Sequence, residues 1–322
     1  MRLRLASVSV DLDPLRCYYQ IHGQPPPAGP LAQVVLERAL PRLLELFDRF
    51  GIKATLFVVG QDLEQCASGR ALLAAAAAAG HELGNHSHTH PYDLARRPRA
   101  ELEREIGDCH AALRRLHPQG RPPLGFRAPG YQLSMELFDV LEAHGYRYDT
   151  SMWPCPPYYV AKLAVMGLMA LRRERSASII GAPQAQLGPT QPYRPDPQRP
   201  WRRGQAGLVE LPVAVTPGLR LPAIGTFMLL SSRLRELLLD LNDLCLILFE
   251  LQCILARDVF TVLPDRSLDV RNQFCLLGLE LLLFFFEQFR ISLEHRDILV
   301  HFGDFIAHVA DKIGRASCRE RV

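Results

Sequence analysis

The chain alternates strand-like and helix-like segments, and polar residues recur where the strand-like ones stop. Residues 4–10 alternate in polarity and end at Asp11 and Asp13 in SVSVDLDP. A loop is expected over residues 17–30. Apolar spacing over 31–50 then predicts a helix, with Gly51 at the C-terminal glycine position. Residues 54–59 read as a second strand. An alanine-rich helix over 72–79 stops at Gly80, and a third strand leads into HSHTH. Residues 99–116 predict a helix, GFRAP a fourth strand end, 135–144 another helix and 146–149 a fifth strand end. A strand–loop–helix repeat with polar residues at successive strand ends is the layout of a (β/α) barrel, whose chemistry sits on the loops at that end.

The middle of the chain breaks the repeat. Residues 154–207 hold a short apolar helix and then QPYRPDPQRPWRRGQ, where recurring proline rules out a regular element. This stretch reads as a long excursion over the barrel mouth. Its arginines either contact an anionic substrate group or keep the loop soluble. Strand pattern resumes at 208–213 and near 244–251. The last unit is a helix over 276–289, a strand at 298–301 and a terminal helix from Asp304.

With 48% hydrophobic and 22% charged residues, the 322-residue chain can build a packed core, which excludes global disorder. The eight cysteines form no CxxC pair and read as reduced core residues. The opening residues lack a long apolar core and cleavage site, so a cytoplasmic location is expected. Segments 160–171 and 276–286 are too short to span a membrane and are interrupted by Lys162 and Glu280. The first, followed by Arg172, Arg173 and Arg175, either lies peripherally on the inner membrane face or forms a buried amphipathic helix, which is the default. The final KIGRASCRERV reads as a sequencing-adapter translation, so 312–322 is expected to be a non-native tail. Lys312, Arg315, Arg319 and Arg321 against Glu320 account for the whole formal charge of +3. That charge therefore implies no nucleic-acid partner. No feature sets an oligomeric state.

His86 and His90 are four residues apart, a spacing that on a helical turn aims both at one ion. Alone, HSHTH reads as metal ligands or as caps and surface residues. The Asp-x-Asp pair adds an oxygen ligand and a base, because alternate strand positions face one side. One Asp and two His suffice for a catalytic divalent metal with open positions.

SVDLD, HSHTH, GFRAPGY and YDTSMWP, in that order and approximate spacing, resemble the polysaccharide deacetylases, the NodB-homology group of carbohydrate esterase family 4. GIKATLFVVG and GHELGNHSHTHP strengthen the likeness, which is close over about residues 4–155 and weaker through VELPVAVTP to the final strand. The resemblance implies a distorted (β/α)7-type barrel as one domain over 1–311, with an insertion at about 155–207. It implies a metal-dependent hydrolase that removes an N-acyl group, typically acetyl, from an amino sugar, a glycan precursor or a lipid-linked sugar. Asp13, His86 and His90 would then hold one divalent ion, zinc or else cobalt, nickel or manganese. Asp11 would be the general base, Arg127 its ionic partner, and the Gly130 N–H an oxyanion donor. Ser87 would orient the histidine turn, and Tyr18, Tyr19, Tyr131, Asp149 and Trp153 would line or support the pocket. Read from the residues alone, Arg127 serves as well as a structural ion pair, Trp153 as a core aromatic and Gly130 as a turn.

Three departures stand out. The first motif is D-L-D, where most members have D-D-G; a subgroup acting on atypical or smaller amides has this D-x-D form. In RAPGY a glycine stands where many members have tyrosine, which moves Tyr131 one place along. Members end on a leucine-x-histidine motif whose histidine protonates the leaving amine. LFELQCILARD aligns with that strand but carries Gln252, while ILVHFGDF supplies His301 as the alternative acid. Glutamine donates no proton at neutral pH, and loss of a general acid costs about 10²–10⁴-fold. Two other readings therefore stand beside the deacetylase: hydrolysis of a non-sugar amide such as a formamide or ureide, or a degenerate sugar- or metal-binding member without turnover.

Overall fold

The computed structural model describes residues 7–224 apart from His22, Arg172, Glu174 and Arg175. Six short strands pair in strict chain order: β1 (Ser9–Asp11), β2 (Thr55–Val58), β3 (Glu82–Asn85), β4 (Gly125–Phe126), β5 (Tyr148–Asp149) and β6 (Val209–Glu210). Every pairing is parallel. A parallel sheet that grows at one edge only, with right-handed crossovers, keeps its helices on one face and curls its other face inward. This is barrel topology rather than a doubly wound sheet. The segments expected at 244–251, 276–289 and 298–301 lie outside the described residues. The register Phe126↔Asp149↔Glu210 brings the last residues of three neighbouring strands level. As a result Asp11, Asn85, Asp149 and Glu210 all emerge at the same, C-terminal edge.

The crossover helices are α1 (Leu15–Ile21), α2 (Leu40–Arg49), α3 (Gly60–Gln65), α4 (Ala67–Ala78), α5 (Arg99–Leu116), α6 (Met135–Ala143) and α7 (Pro156–Leu171). On α2, Leu40, Leu43, Leu46 and Phe47 form one buried stripe at helical spacing. Each such side chain contributes up to about 1.5–3 kcal/mol by leaving water. Gly51 then turns the chain at φ +64°. On α5, Leu102, Ile106, Cys109, Ala112 and Leu113 are buried and serve two cores. One core gathers β1, β2 and the helices α2 to α5; the other gathers β4, α6 and the inner part of α5. Ser134 caps α6 by accepting from the Leu137 N–H at 3.2 Å.

Several expectations are corrected. The start of the 17–30 loop is helix α1, with Leu15 and Cys17 buried beneath it; only after Gly23, at φ +64°, does the chain become irregular. The helix expected over 31–50 is not uniform. Residues Val35–Ala39 wind as a π-turn just before Pro41, which offers no N–H to the Glu37 carbonyl and crowds it. Helix α7 is not buried. Among its described side chains Ala161 is the one that is buried, and Val160, Leu163 and Leu171 are exposed. No helix among the described residues is long and apolar enough to cross a membrane. Two of the four arginines of the proline-rich stretch bond to the stretch itself. Arg194 donates to the carbonyls of Ala206 and Gly207 at 2.9 and 2.6 Å, and Arg203 to that of Pro192 at 3.4 Å. Tyr193 and Glu210 exchange backbone hydrogen bonds of 3.0 and 2.8 Å, which stitches the insertion onto β6.

Candidate active site

Asp13 lies just past β1, where pairing continues through the Leu12 N–H to the Phe57 carbonyl at 2.9 Å. With Leu12 turned into the core, Asp11 and Asp13 face the same way. His86 and His90 follow β3, but not on a helical turn. Ser87 takes φ +63° and His90 φ +63°, and this double left-handed reversal folds the two rings together with centroids 4.9 Å apart. The conformation is costly for side-chain-bearing residues, and hydrogen bonds hold it. The Ser87 N–H donates to Asn85 Oδ1 at 2.8 Å, and the His90 N–H donates to Ser87 Oγ at 3.1 Å. From α5, Glu105 accepts the His88 and Thr89 N–H groups at 3.0 and 2.8 Å and the Thr89 hydroxyl at 2.6 Å.

Asp13 Oδ1 is 3.1 Å from His86 Nε2 and 3.3 Å from His90 Nε2. Ligand atoms of all three residues lie within 4.8 Å of one another. His86 Nδ1 sits 2.6 Å from the Arg127 carbonyl, which can only accept, so Nδ1 carries a proton and Nε2 is the nitrogen that would offer its lone pair to a bound cation. That is the tautomer a metal ligand needs, fixed from its far side. Asp13 Oδ1 and His90 Nε2 are buried without an aligned hydrogen bond. Burial opposes charge on all three groups. Their mutual attraction outweighs it, holding Asp13 far below the ordinary carboxylate range and lifting His90 to about 9. A buried anionic oxygen and two imidazoles converging without aligned partners fit one divalent cation.

Asp11 stands beside this cluster and is held at both oxygens. Arg127 Nη1 donates to Oδ1 at 2.5 Å and the Tyr131 hydroxyl donates to Oδ2 at 3.2 Å. Arg127 is fixed in turn by Ser9 Oγ at 2.9 Å and by the Thr150 carbonyl and hydroxyl, each at 3.2 Å. Its guanidinium carbon lies 4.3 Å from the centre of the Phe57 ring. That ring lies so close to Gly84 that an added Cβ would meet it at 2.5 Å, so glycine there is what lets Phe57 support the arginine.

Behind Arg127 lies a feature that the sequence did not reveal. Asp149 and Glu210 are both fully buried at the ends of β5 and β6. Ser151 donates its hydroxyl to Asp149 Oδ1 at 2.7 Å and accepts the Ala128 N–H at 2.7 Å. Glu210 Oε1 accepts the Met152 N–H at 3.0 Å, while the buried Oε2 meets no donor, the surroundings of a protonated oxygen. Burial, reinforced by the charge on Asp149, pushes Glu210 well above the ordinary range. Burial raises Asp149 as well, and through Ser151 and Met152 the two acids tie together the loops after β4 and β5.

The other expected residues are divided. Gly130, at φ +68°, and Tyr131, at φ +59°, form the turn that brings the tyrosine onto Asp11. Trp153 is buried against Tyr131 and Tyr158, with ring centroids 4.9 and 4.2 Å away. Adjacent helix positions face different ways, and on α1 this separates the two tyrosines. Tyr18 feels the charges of Asp13 and Asp11, whereas Tyr19, expected at the pocket, packs against the larger core. Gln252 and His301 lie outside the described residues. Besides Glu210, sequence reasoning missed Asn85 and Glu105. Asn85 adjoins the histidine tract in GNHSHTH, so its position was the available signal; Glu105 looked like one more charge on a solvated helix face.

Residues 28–148 match the family model described as polysaccharide deacetylase. A peptidoglycan deacetylase of Helicobacter pylori is 28% identical over 160 residues, covering 48% of this chain and 53% of the relative. A peptidoglycan deacetylase-like protein of Gibberella zeae is 31% identical over 113 residues, covering 34% and 32%. The chain thus spans about half or less of the length of the curated relatives it matches. Among solved structures, a family 4 carbohydrate esterase from Streptomyces lividans in complex with acetate aligns at 22% identity and a TM-score of 0.34, covering 56% of this chain and 81% of that one.

Proposed function

We propose that this chain, whose residues 28–148 match the polysaccharide deacetylase family model, is a metal-dependent hydrolase that removes an acetyl group from the nitrogen of an amino sugar in a glycan or glycan precursor. The observation that carries this reading is the buried Asp13–His86–His90 cluster set beside the Arg127-held carboxylate of Asp11. The names of the two curated relatives support an acylated amino sugar as the substrate class.

Asp13, His86 and His90 would hold the ion, zinc or else cobalt, nickel or manganese. When bound it supplies Lewis-acid polarisation of the acyl group and acidifies water. The chain's own residues supply the rest. Arg127 and Tyr131 each take one lone-pair direction on the Asp11 oxygens and leave others open, so Asp11 is aimed and still able to accept a proton from water. The PGY turn brings the Gly130 backbone beside Tyr131, where its N–H serves the developing oxyanion. The burial of His86 and His90 keeps bulk water from their rings, which strengthens these contacts. Among the described residues, Asp11 in its protonated form would return the proton to the leaving amine.

The test uses the full chain loaded separately with each of the four metals and screened for acetate and formate release from amino sugars and lipid-linked sugars. Asp11→Asn should keep the metal and lose release; release at the parent rate would sink the assignment of the base. Gln252→His should raise release. No change, combined with loss in His301→Ala, would give the acid's role to His301.

A further inference from the structure

A recess that is partly open to solvent lies against Tyr131. The barrel loops provide one wall through Tyr131 and Trp153. The insertion provides the other through Tyr158, Lys162, Gln186 and Trp201. Family motifs account for the first wall only.

Lys162 is the unexpected member. It is half-buried on α7 and has no acidic partner among the described residues. Elsewhere on α7 the side chains of the PPYYVAKLAVMGLMAL helix carry no charge, so this single ammonium faces an aromatic recess by itself. Burial alone lowers it to about 8, well under the ordinary lysine value. Two further polar atoms on the recess-lining residues lack partners: the buried Trp153 Nε1–H, a donor, and the buried Gln186 Oε1, an acceptor. A cation and two polar atoms unsatisfied together carry a cost that a polar ligand would offset.

We propose that this recess holds an anionic oxygen group of the substrate, carboxylate or phosphate, with Lys162 as its counter-ion. The substrate is then an acylated amino sugar that carries negative charge close to its acylamino group. The proposal rests on the hydrolase reading above, because Tyr131 both borders the recess and donates to Asp11, which sets the two sites side by side. The aromatic walls suit a sugar ring, and the ammonium selects among sugars by charge.

The chain's two tryptophans, Trp153 and Trp201, both border the recess, so their fluorescence reports its occupancy directly. The full chain is titrated with N-acetylglucosamine dimer, N-acetylglucosamine 1-phosphate and N-acetylmuramic acid, which are neutral, phosphate-bearing and carboxylate-bearing. One charged sugar should bind about ten- to a hundredfold tighter than the neutral one, and the better of the two names the source of charge. In Lys162→Met, which keeps the side-chain bulk and removes a cation with no acidic partner among the described residues, the preference should vanish without a lower melting temperature. Lys162→Arg should keep it. Equal affinities in the parent chain, or a preference that survives Lys162→Met, would overturn the proposal. If the preference stands while no sugar releases acetate with any metal, the hydrolase reading fails and the anion site does not.

Discussion

The metal corner and the acid pair both adjoin Arg127 and are built in different ways. Asp13, His86 and His90 come from two short tracts at the ends of β1 and β3, and their spacing already suggests shared chemistry. Asp149 and Glu210 come from strands separated by the whole insertion; the contact that anchors Glu210 joins residues 58 apart. At the metal corner, buried charge is met by opposite charge. At the acid pair it is met by withholding ionisation from one partner. Arg127 links the two: it pairs with Asp11, and its charge also acts on Asp149 and Glu210. One guanidinium thus couples the chemistry to the frame behind it.

The sharpest break is at the metal corner. His86→Ala combined with His90→Ala should remove the bound divalent ion, as read by elemental analysis, and lower turnover by about 10³-fold or more. A double variant that kept one metal per chain would show that the cluster is structural. Next comes the link. Arg127→Met should lower kcat/KM roughly a hundredfold by releasing Asp11 from its aim, and cost about 3 kcal/mol of stability in urea unfolding. Arg127→Lys should not rescue turnover, because one ammonium cannot reach Asp11, Ser9 and Thr150 together.

The acid pair gives a smaller effect with a clear sign. Glu210 keeps a proton in the native state that an unfolded glutamate releases above about pH 4.3. From there up to its raised native value the native state binds more protons, so stability falls as pH rises. Glu210→Gln keeps the shape, donates an N–H to Asp149 and should flatten that slope when urea midpoints at about pH 5 and about pH 8 are compared. Glu210→Ala should lose roughly 2–4 kcal/mol at both. A parent chain with no slope would show that Glu210 is ionised in the native state. The smallest effect is at Glu105. Glu105→Gln loosens the histidine turn and should weaken metal affinity about tenfold, with the melting temperature nearly unchanged.

Helices α5 and α6 were legible to within a residue or so because their apolar spacing is regular and glycine or proline marks their ends. Helix α1 was not, since seven residues are too few to show a period beside a proline-rich run. The exposure of α7 was also hidden: its composition is that of a core helix, and only the placement of its neighbours decides which faces they cover. In the site, Asp11, Asp13, His86 and His90 were visible as residue types at strand ends. The means of bringing the histidines together was misread, because a left-handed reversal at Ser87 leaves no mark in a serine.

The sequence by itself determined the strand–helix alternation, the polar strand ends and the ligand types, because these depend on periodicity and side-chain chemistry within a few residues. Tertiary structure alone decided which acid burial raises, which tyrosine lies near the carboxylates and which lysine has no acidic partner among the described residues. Those properties depend on burial and on neighbours brought from distant parts of the chain. The field at a buried group is set by what surrounds it in space and not by what precedes it in sequence.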